Sequence, residues 1–178
     1  MSSPVLTDGS AFYQLQEEFK SAFDNTVIDL PRSMLIAYPH LMQDVNVAVV
    51  TTELSLASAR DTIRVLAWLK QNAPHCKTIV VANKVQSAVL EISKKDFEST
   101  IERKIDLMLP LDSKSASQAA KLGQPLVVAV KGSKVSTGLV TLADMIAGTA
   151  AEAVEEAPKE PKSKKSVFGG FKSLMAKK

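Results

Sequence analysis

The chain has 178 residues, of which 46% are hydrophobic and only 5% aromatic, so its core must consist mainly of Val, Leu, Ile and Ala. No apolar run approaches the ~20 residues of a transmembrane helix, and the N-terminus lacks the basic and apolar regions of a signal peptide. A single cysteine, Cys76, excludes an internal disulfide and suits a reducing cytoplasm; with His40 and His75 as the other soft ligands, we expect no zinc site.

Charge is divided unevenly along the chain. Residues 1–150 contain 15 Lys+Arg and 15 Asp+Glu, whereas residues 151–178 contain 7 and 4, so the net charge of +3 lies in the C-terminal part. A neutral N-terminal part offers no bulk electrostatic attraction for nucleic acid. We therefore predict one globular domain, residues 1–150, with an appended tail and no nucleic-acid partner.

Helix and strand patterns alternate along the first 148 residues. Apolar side chains at helical spacing in residues 10–23 predict a helix that covers a sheet. Residues 27–30 predict a first short strand, and residues 33–44 a short helix that Pro39 interrupts. The other predicted elements are strands at 45–52, 78–84 and 107–111 and helices at 55–72, 94–104, 115–122 and 134–148, with Gly123 as a helix C-cap. This alternation of apolar strands with helices predicts an α/β fold with a mostly parallel sheet flanked by helices.

The composition changes after residue 150. Residues 151–165 are almost entirely Ala, Glu, Pro and Lys and predict a disordered linker. Residues 166–178 are a basic, amphipathic segment, which we predict to become helical on an anionic membrane and to bind it weakly. The predicted membrane-binding residues are Phe168, Phe171, Lys172, Leu174 and Met175. The alternatives are a basic tail that binds nothing and a short helix that docks on a protein.

Polar residues follow four predicted strands, at the positions where ligands of open α/β sheets bind. They are Asp29, Thr51–Glu53, Asn83–Lys84 and Pro110–Asp112. Each has a structural alternative. Asp29 can cap the turn at Pro31, the threonines can cap a helix, Asn83 can satisfy its own turn, and the last group can lead into the next helix. No single one of the four is specific.

The order and spacing of these motifs are more specific than any one of them. A strand with D-x-P, an apolar strand ending in Thr, "VVANK", and "LPLD" followed by "AAKLGQPL" resemble the second half of the ParA/MinD superfamily of deviant P-loop ATPases. The resemblance covers roughly residues 10–148. Within it, residues 92–126 look most like the CpaE/TadZ group, the localisation ATPases of the Flp (Tad) pilus machinery.

The resemblance implies a partial P-loop NTPase-like domain with a nucleotide site. Asp29 falls on the switch carboxylate that helps to hold magnesium, Asn83 on the residue that meets adenine, and Pro110 and Asp112 on the loop along the base. The sequence departs from the family pattern because it contains no G-x-x-x-x-G-K-[ST] motif or deviant equivalent. These four residues are therefore predicted to be vestigial, with no catalytic residue and no cofactor; ATP and magnesium would bind only if an N-terminal half were supplied.

The leading functional hypothesis is a non-catalytic localisation or scaffold factor for Flp (Tad) pilus assembly and secretion. It would be cytoplasmic, peripherally bound to the inner membrane, with pilus or secretion proteins as partners. Because family members dimerise around nucleotide, a homodimer is also an option. The alternatives are a fragment of an active ParA/MinD-like ATPase for chromosome or division-site positioning, and a truncated product without independent function.

Overall fold

The computed structural model describes residues 9–86 and 91–156, which contain helices on both sides of a small sheet. In chain order the elements are α1 (Gly9–Ala22), α2 (Arg32–Ala37), a short 3₁₀ helix (Pro39–Met42), β1 (Val47–Thr52), α3 (Leu56–Asn72), β2 (Lys77–Val85), α4 (Lys94–Thr100), β3 (Leu107–Pro110), α5 (Ser113–Leu122), α6 (Leu126–Ala129) and α7 (Lys134–Glu156).

The three strands form one parallel sheet in the order β1-β2-β3. Val47 pairs with Lys77 at the start of β1, and Val81 pairs with Leu107 at the start of β3. Helix α3 makes the first crossover and α4 lies in the second, as parallel strands require. The predicted α/β class with a parallel sheet is confirmed.

Hydrophobic clusters lie on both faces of the sheet, because successive side chains of a strand point to opposite faces. Ile79 and Val81 of β2 pack with Leu109 beneath α7. Val80 and Ala82 point the other way, into a cluster that α3 and α4 complete with side chains such as Phe97, which is fully buried. The central strand β2 is thus covered on both faces.

The helices begin and end at residues suited to those positions. The N-caps of α3, α4 and α5 are Ser55, Ser93 and Asp112, whose side-chain oxygens accept hydrogen bonds from the backbone N–H three residues later. Helix α5 ends at Gly123, which has a left-handed φ of 59°. This conformation costs glycine little, and the predicted C-cap is confirmed.

The strand predicted at residues 27–30 is wrong. Within the described residues it belongs to no sheet, and Val27 is 90% exposed. A strand needs a hydrogen-bonding neighbour, and the pairing described here brings none to this segment. Leu30 alone packs inward, against the cluster that joins α2 to α3.

Helix α1 forms where it was predicted but does not cover the sheet as expected. Tyr13, Leu15 and Phe23 are each about half exposed or more. An ion pair of 3.3 Å between Lys20 and Asp44 links α1 to the segment before β1. Helical periodicity predicted the element correctly but not what its apolar stripe contacts.

Helix α7 is longer than predicted. It continues to Glu156, past the predicted end at residue 148 and into the predicted linker 151–165. Ala and Glu dominate this stretch, and both are strong helix formers. The remainder of the linker and the segment 166–178 lie outside the described residues. No helix among the described residues is long and apolar enough to cross a membrane.

Candidate functional site

The carboxyl ends of the three strands lie along one edge of the sheet, which we call the carboxyl edge: Thr51–Glu53, Asn83–Lys84 and Pro110–Asp112. All three strands are parallel, so these residues emerge on the same rim. The backbone N–H of Leu111 donates to the carbonyl of Val85 at 3.1 Å, which holds the last two strand ends together. Topology therefore brings the predicted strand-end residues other than Asp29 to one place.

An ion pair joins the ends of β1 and β2. The Nζ of Lys84 lies 2.8 Å from Oε1 of Glu53, and both side chains are more than half exposed. The hydrogen bond to Glu53, together with the opposite charge, raises the pKa of Lys84 above its ordinary value. The cation at this edge is therefore paired with a carboxylate of the same chain.

The backbone at the end of β2 is irregular. The pairing with β3 shifts register between Ala82 and Val85, and Lys84 takes a positive φ of 54°, which is uncommon for a residue with a Cβ. The Oδ1 of Asn83 accepts a hydrogen bond of 2.9 Å from the backbone N–H of Lys84. This bond gives Asn83 the structural role in its own turn that was the alternative to a base contact. The contact between Asn83 and a base stays a prediction.

Thr52 at the end of β1 anchors the following helix without capping it. The Thr62 hydroxyl of α3 donates to Oγ1 of Thr52 at 2.9 Å, and both residues are buried. Ser55, and not a threonine, provides the cap of α3. Thr51 is exposed, so its hydroxyl is accessible at the carboxyl edge.

Asp112 is engaged by the helix that it begins. Its Oδ1 accepts from the backbone N–H of Ser115 at 2.9 Å, and its Oδ2 accepts from the Ser115 hydroxyl at 2.6 Å. The hydroxyl bond, and then the backbone bond, lower the pKa of Asp112. The alternative that this group leads into the next helix is confirmed for Asp112, which is the N-cap of α5. The role of Pro110 and Asp112 beside a base stays a prediction.

Asp29 is the predicted site residue for which the described residues show no bond to this group. It is exposed, and within the described residues no hydrogen bond or ion pair joins it to the carboxyl edge. The nearby Arg32 instead forms an ion pair with Asp61 of α3. The structure brings together Asn83, Pro110 and Asp112, and shows no contact that adds Asp29 to them.

Two buried or bridging carboxylates were missed by sequence reasoning. Glu98 on α4 is buried and accepts a hydrogen bond of 2.9 Å from the N–H of Ile105, which with the nearby Lys104 ammonium lowers the pKa of Glu98. Asp106 accepts one of 2.7 Å from the N–H of Val80. Both carboxylates satisfy backbone groups. The available signal for Asp106 was an acid placed directly before a strand.

Asp106 also borders a cleft of about 430 Å³ at the opposite, amino edge of the sheet. Arg103 crosses this cleft, donating to the carbonyl of Thr78 and lying 3.6 Å from Asp106. Arg103 and Asp106 thus bind each other and the backbone of β2 at the border of this cleft.

The chemistry available in the described residues is limited. Burial raises the pKa of the Cys76 thiol to about 11, so it is not a thiolate nucleophile near neutral pH. No group of three or more His, Cys, Asp or Glu side chains in residues 9–86 and 91–156 could hold a metal ion. At the carboxyl edge, Lys84 is paired with Glu53 and Asp112 is bonded to Ser115.

Two solved structures resemble the fold of this chain. One is a ParA family ATPase from Chlorobium tepidum TLS, with a TM-score of 0.69 and 20% identity over 78% of this chain and 57% of that chain. The other is the septum site-determining protein MinD complexed with Mg-ADP from Pyrococcus horikoshii OT3, with a TM-score of 0.64 and 19% identity over 82% and 60%.

These likenesses establish the fold. The chain has the α/β fold of ParA and MinD, and it spans less than two thirds of the length of either structure. No protein-family model matches the sequence, and no curated protein matches it.

Proposed function

We propose that this chain is a non-catalytic, ParA/MinD-like localisation or scaffold module for Flp (Tad) pilus assembly and secretion. The fold supports the ParA/MinD part of the proposal. The resemblance of residues 92–126 to the CpaE/TadZ group supports the pilus part. The observation offered for the non-catalytic part is the carboxyl edge, where Lys84 is paired with Glu53.

Phosphoryl transfer depends on positioning the triphosphate and on stabilising its developing charge. At the described carboxyl edge the lysine is paired with Glu53 and the Asp112 carboxylate is bonded to Ser115. The 178 residues contain no P-loop motif. Such an edge can offer the Asn83 amide to a base, but it supplies no cradle for phosphates.

A protein that catalyses no reaction acts by binding other proteins or membranes. We propose pilus or secretion proteins as its protein partners and the anionic inner face of the cytoplasmic membrane as its site of action. The membrane contact would be made by Phe168, Phe171, Lys172, Leu174 and Met175. The balanced charge of residues 1–150 supports the proposal that nucleic acid is not a partner.

The catalytic part is tested by measuring phosphate release from ATP and magnesium with the full chain. We expect a rate no higher than that of the Asp29→Ala variant, because the phosphates have no cradle. A rate clearly above that control would favour the alternative of an active ATPase unit.

The membrane part is tested by co-sedimentation with liposomes, comparing the full chain with one that ends at Glu156. The shorter chain keeps all of α7 and removes only the linker remainder and the basic segment. We expect the full chain alone to pellet, with anionic and not with neutral lipid. Equal pelleting of both chains would exclude the segment as the anchor.

The pilus part is tested by the neighbourhood of the gene. Genes for a pilin, a prepilin peptidase and a secretion ATPase beside it are the expected result. A neighbourhood of chromosome-partition or division genes would contradict the pilus assignment while leaving the fold unaffected.

A further inference from the structure

Charge is distributed unevenly within the electrically balanced part of the chain. Residues 113–143, which comprise α5, α6 and the first part of α7, contain four lysines and no acidic residue. Since residues 1–150 contain 15 Lys+Arg and 15 Asp+Glu, the rest of that range holds 11 Lys+Arg against all 15 acids. The balance thus conceals one basic stretch in a domain that is otherwise acidic. The four lysines, all exposed, are Lys114, Lys121, Lys131 and Lys134.

Helix α6 lies in the middle of this basic stretch and presents an apolar turn. Residues 126–130 are "LVVAV", and none of them is buried; Val128 is 52% exposed. Within the part of the chain that the structure describes, they belong to none of the three hydrophobic clusters. The turn is held by its backbone instead. The buried hydroxyl of Ser136 on α7 donates to the carbonyl of Val130 at 2.7 Å and lies 3.3 Å from that of Leu126.

Lysines flank the apolar turn on both sides. Lys121 lies in the last turn of α5, and Lys131 and Lys134 follow α6 at the start of α7. Leu122, beside Lys121, is 55% exposed. No ion pair joins these lysines to an acid in residues 9–86 and 91–156. We call Lys121, Leu122, Val128, Lys131 and Lys134 the α6 surface.

The charge of the α6 surface restricts what can lie against it. Lysine is almost never buried without a partner, so any group that covers this surface must bring negative charge. The C-terminal residues 161–178 do not, because they contain six lysines and no acid. The exposed Val128 and Leu122 add a second requirement, a partner that accepts apolar side chains among the charges. An anionic phospholipid surface meets both requirements, whereas the phosphate backbone of a nucleic acid meets only the first.

We propose that the α6 surface is a second contact with an anionic membrane. Val128 and Leu122 enter the boundary between headgroups and acyl chains, and the three lysines meet anionic headgroups. The inference rests on the proposed membrane binding of residues 166–178 and extends it to the folded domain. The α6 surface has half as many lysines as residues 161–178 and no aromatic residue. It therefore strengthens the binding by the C-terminal segment and does not replace it.

The two contacts can reach one membrane. Helix α7 has 23 residues and is about 34 Å long, so its end at Glu156 lies far from α6. Residues 157–165 can span up to about 30 Å when extended, which returns the segment to the level of the α6 surface. Because the contacts are joined by one chain, the second occurs at a high effective concentration, and a small contact then raises the overall affinity measurably.

The test is the partition of the full chain onto vesicles of phosphatidylserine and phosphatidylcholine, measured over a range of lipid concentration. Lys131→Gln combined with Lys134→Gln is expected to weaken binding about fivefold for each lysine removed. The matched control combines Lys70→Gln with Lys95→Gln, at exposed sites on α3 and α4. It removes the same net charge from another face and is expected to bind like the unmodified chain.

A second pair of variants tests the apolar part of the contact. Val128→Ser is expected to weaken binding several-fold, whereas Val27→Ser, at a valine that is 90% exposed outside the α6 surface, leaves it unchanged. Circular dichroism checks that each variant is folded.

Three results would overturn the inference. If the full chain binds but the variants of the α6 surface bind equally well, the inference fails alone, and the surface serves an acidic protein or a nucleic acid. If the control pair of lysines loses as much binding, only bulk charge matters. If the unmodified chain does not bind anionic vesicles at all, the proposed membrane function fails together with the inference.

Discussion

The two sides of the sheet contain similar residues in very different surroundings. On the β3 side, which comprises β3, α4 and α7, Phe97 is 0% and Leu109 is 5% exposed. On the β1 side, which comprises β1, α2 and the segment before α2, Ile36 is 64% and Val27 is 90% exposed. Apolar residues are buried only where another element lies against them. The difference teaches that hydrophobicity decides which residues can form a core, and topology decides which of them do.

The largest expected effect on stability comes from replacing one apolar residue by alanine on the β3 side and comparing it with one on the β1 side. Phe97→Ala should lower the free energy of unfolding by about 3–5 kcal/mol, because it leaves a cavity in the core. Ile36→Ala should change it by no more than about 0.5 kcal/mol, because the side chain is mostly in solvent. Chemical denaturation of both variants measures the contrast. Similar losses would mean that the β1 side is covered in solution.

A smaller effect is expected where α7 meets β3. A Cβ added at Gly138 would lie 2.5 Å from Cδ2 of Leu109, whereas one added at Gly148 meets nothing within 4 Å. Overpacking a core costs about 1–3 kcal/mol, and replacing a helical glycine by alanine gains up to about 1 kcal/mol. Gly138→Ala should therefore destabilise the protein in thermal or chemical denaturation, and Gly148→Ala should stabilise it. A stabilised Gly138→Ala variant would show that this packing is loose.

The smallest effect concerns pH. The folded state holds the pKa of Glu98 below its ordinary value of 4.5, so the resulting stabilisation is present above that pH and is lost as the pH falls through the folded pKa. Glu98→Gln should be less stable than the unmodified chain near neutral pH, and the difference should shrink on acidification below 4.5.

Glu53→Gln supplies the comparison on the β1 side. Its ion pair is exposed, so this substitution should change the stability little at any pH. Denaturation curves at a series of pH values measure both variants. A difference for Glu98→Gln that stays constant with pH would contradict the assigned role of its charge.

The sequence predicted those parts of the fold that depend on neighbours along the chain. Helical periodicity located α3 and α7, and Gly123 marked the end of α5 because a left-handed C-cap favours glycine. The prediction of a strand at residues 27–30 failed because a strand depends on a hydrogen-bonding neighbour, which the local pattern does not specify. The prediction that α1 covers the sheet failed for the same reason.

The candidate site shows the same division. Parallel topology made it predictable that Asn83 and Asp112 would share an edge, and the capping role of Asp112 follows from the helix start beside it. An acid directly before β3 was a signal for Asp106, but the sequence did not specify the donors. The backbone N–H of Val80 donates to Asp106, and that of Ile105 donates to Glu98. Each depends on backbone groups that only the folded chain brings within reach.

The parallel order of the strands also determines how the sheet can assemble. Val47 must find Lys77, about thirty residues away, and Val81 must find Leu107 after a similar separation. Neither pair can form as a local hairpin, so each waits for its crossover to close, and chains dominated by such distant contacts fold slowly. Both pairings converge on β2. We therefore expect β2 to organise the rate-limiting step in the assembly of these three strands.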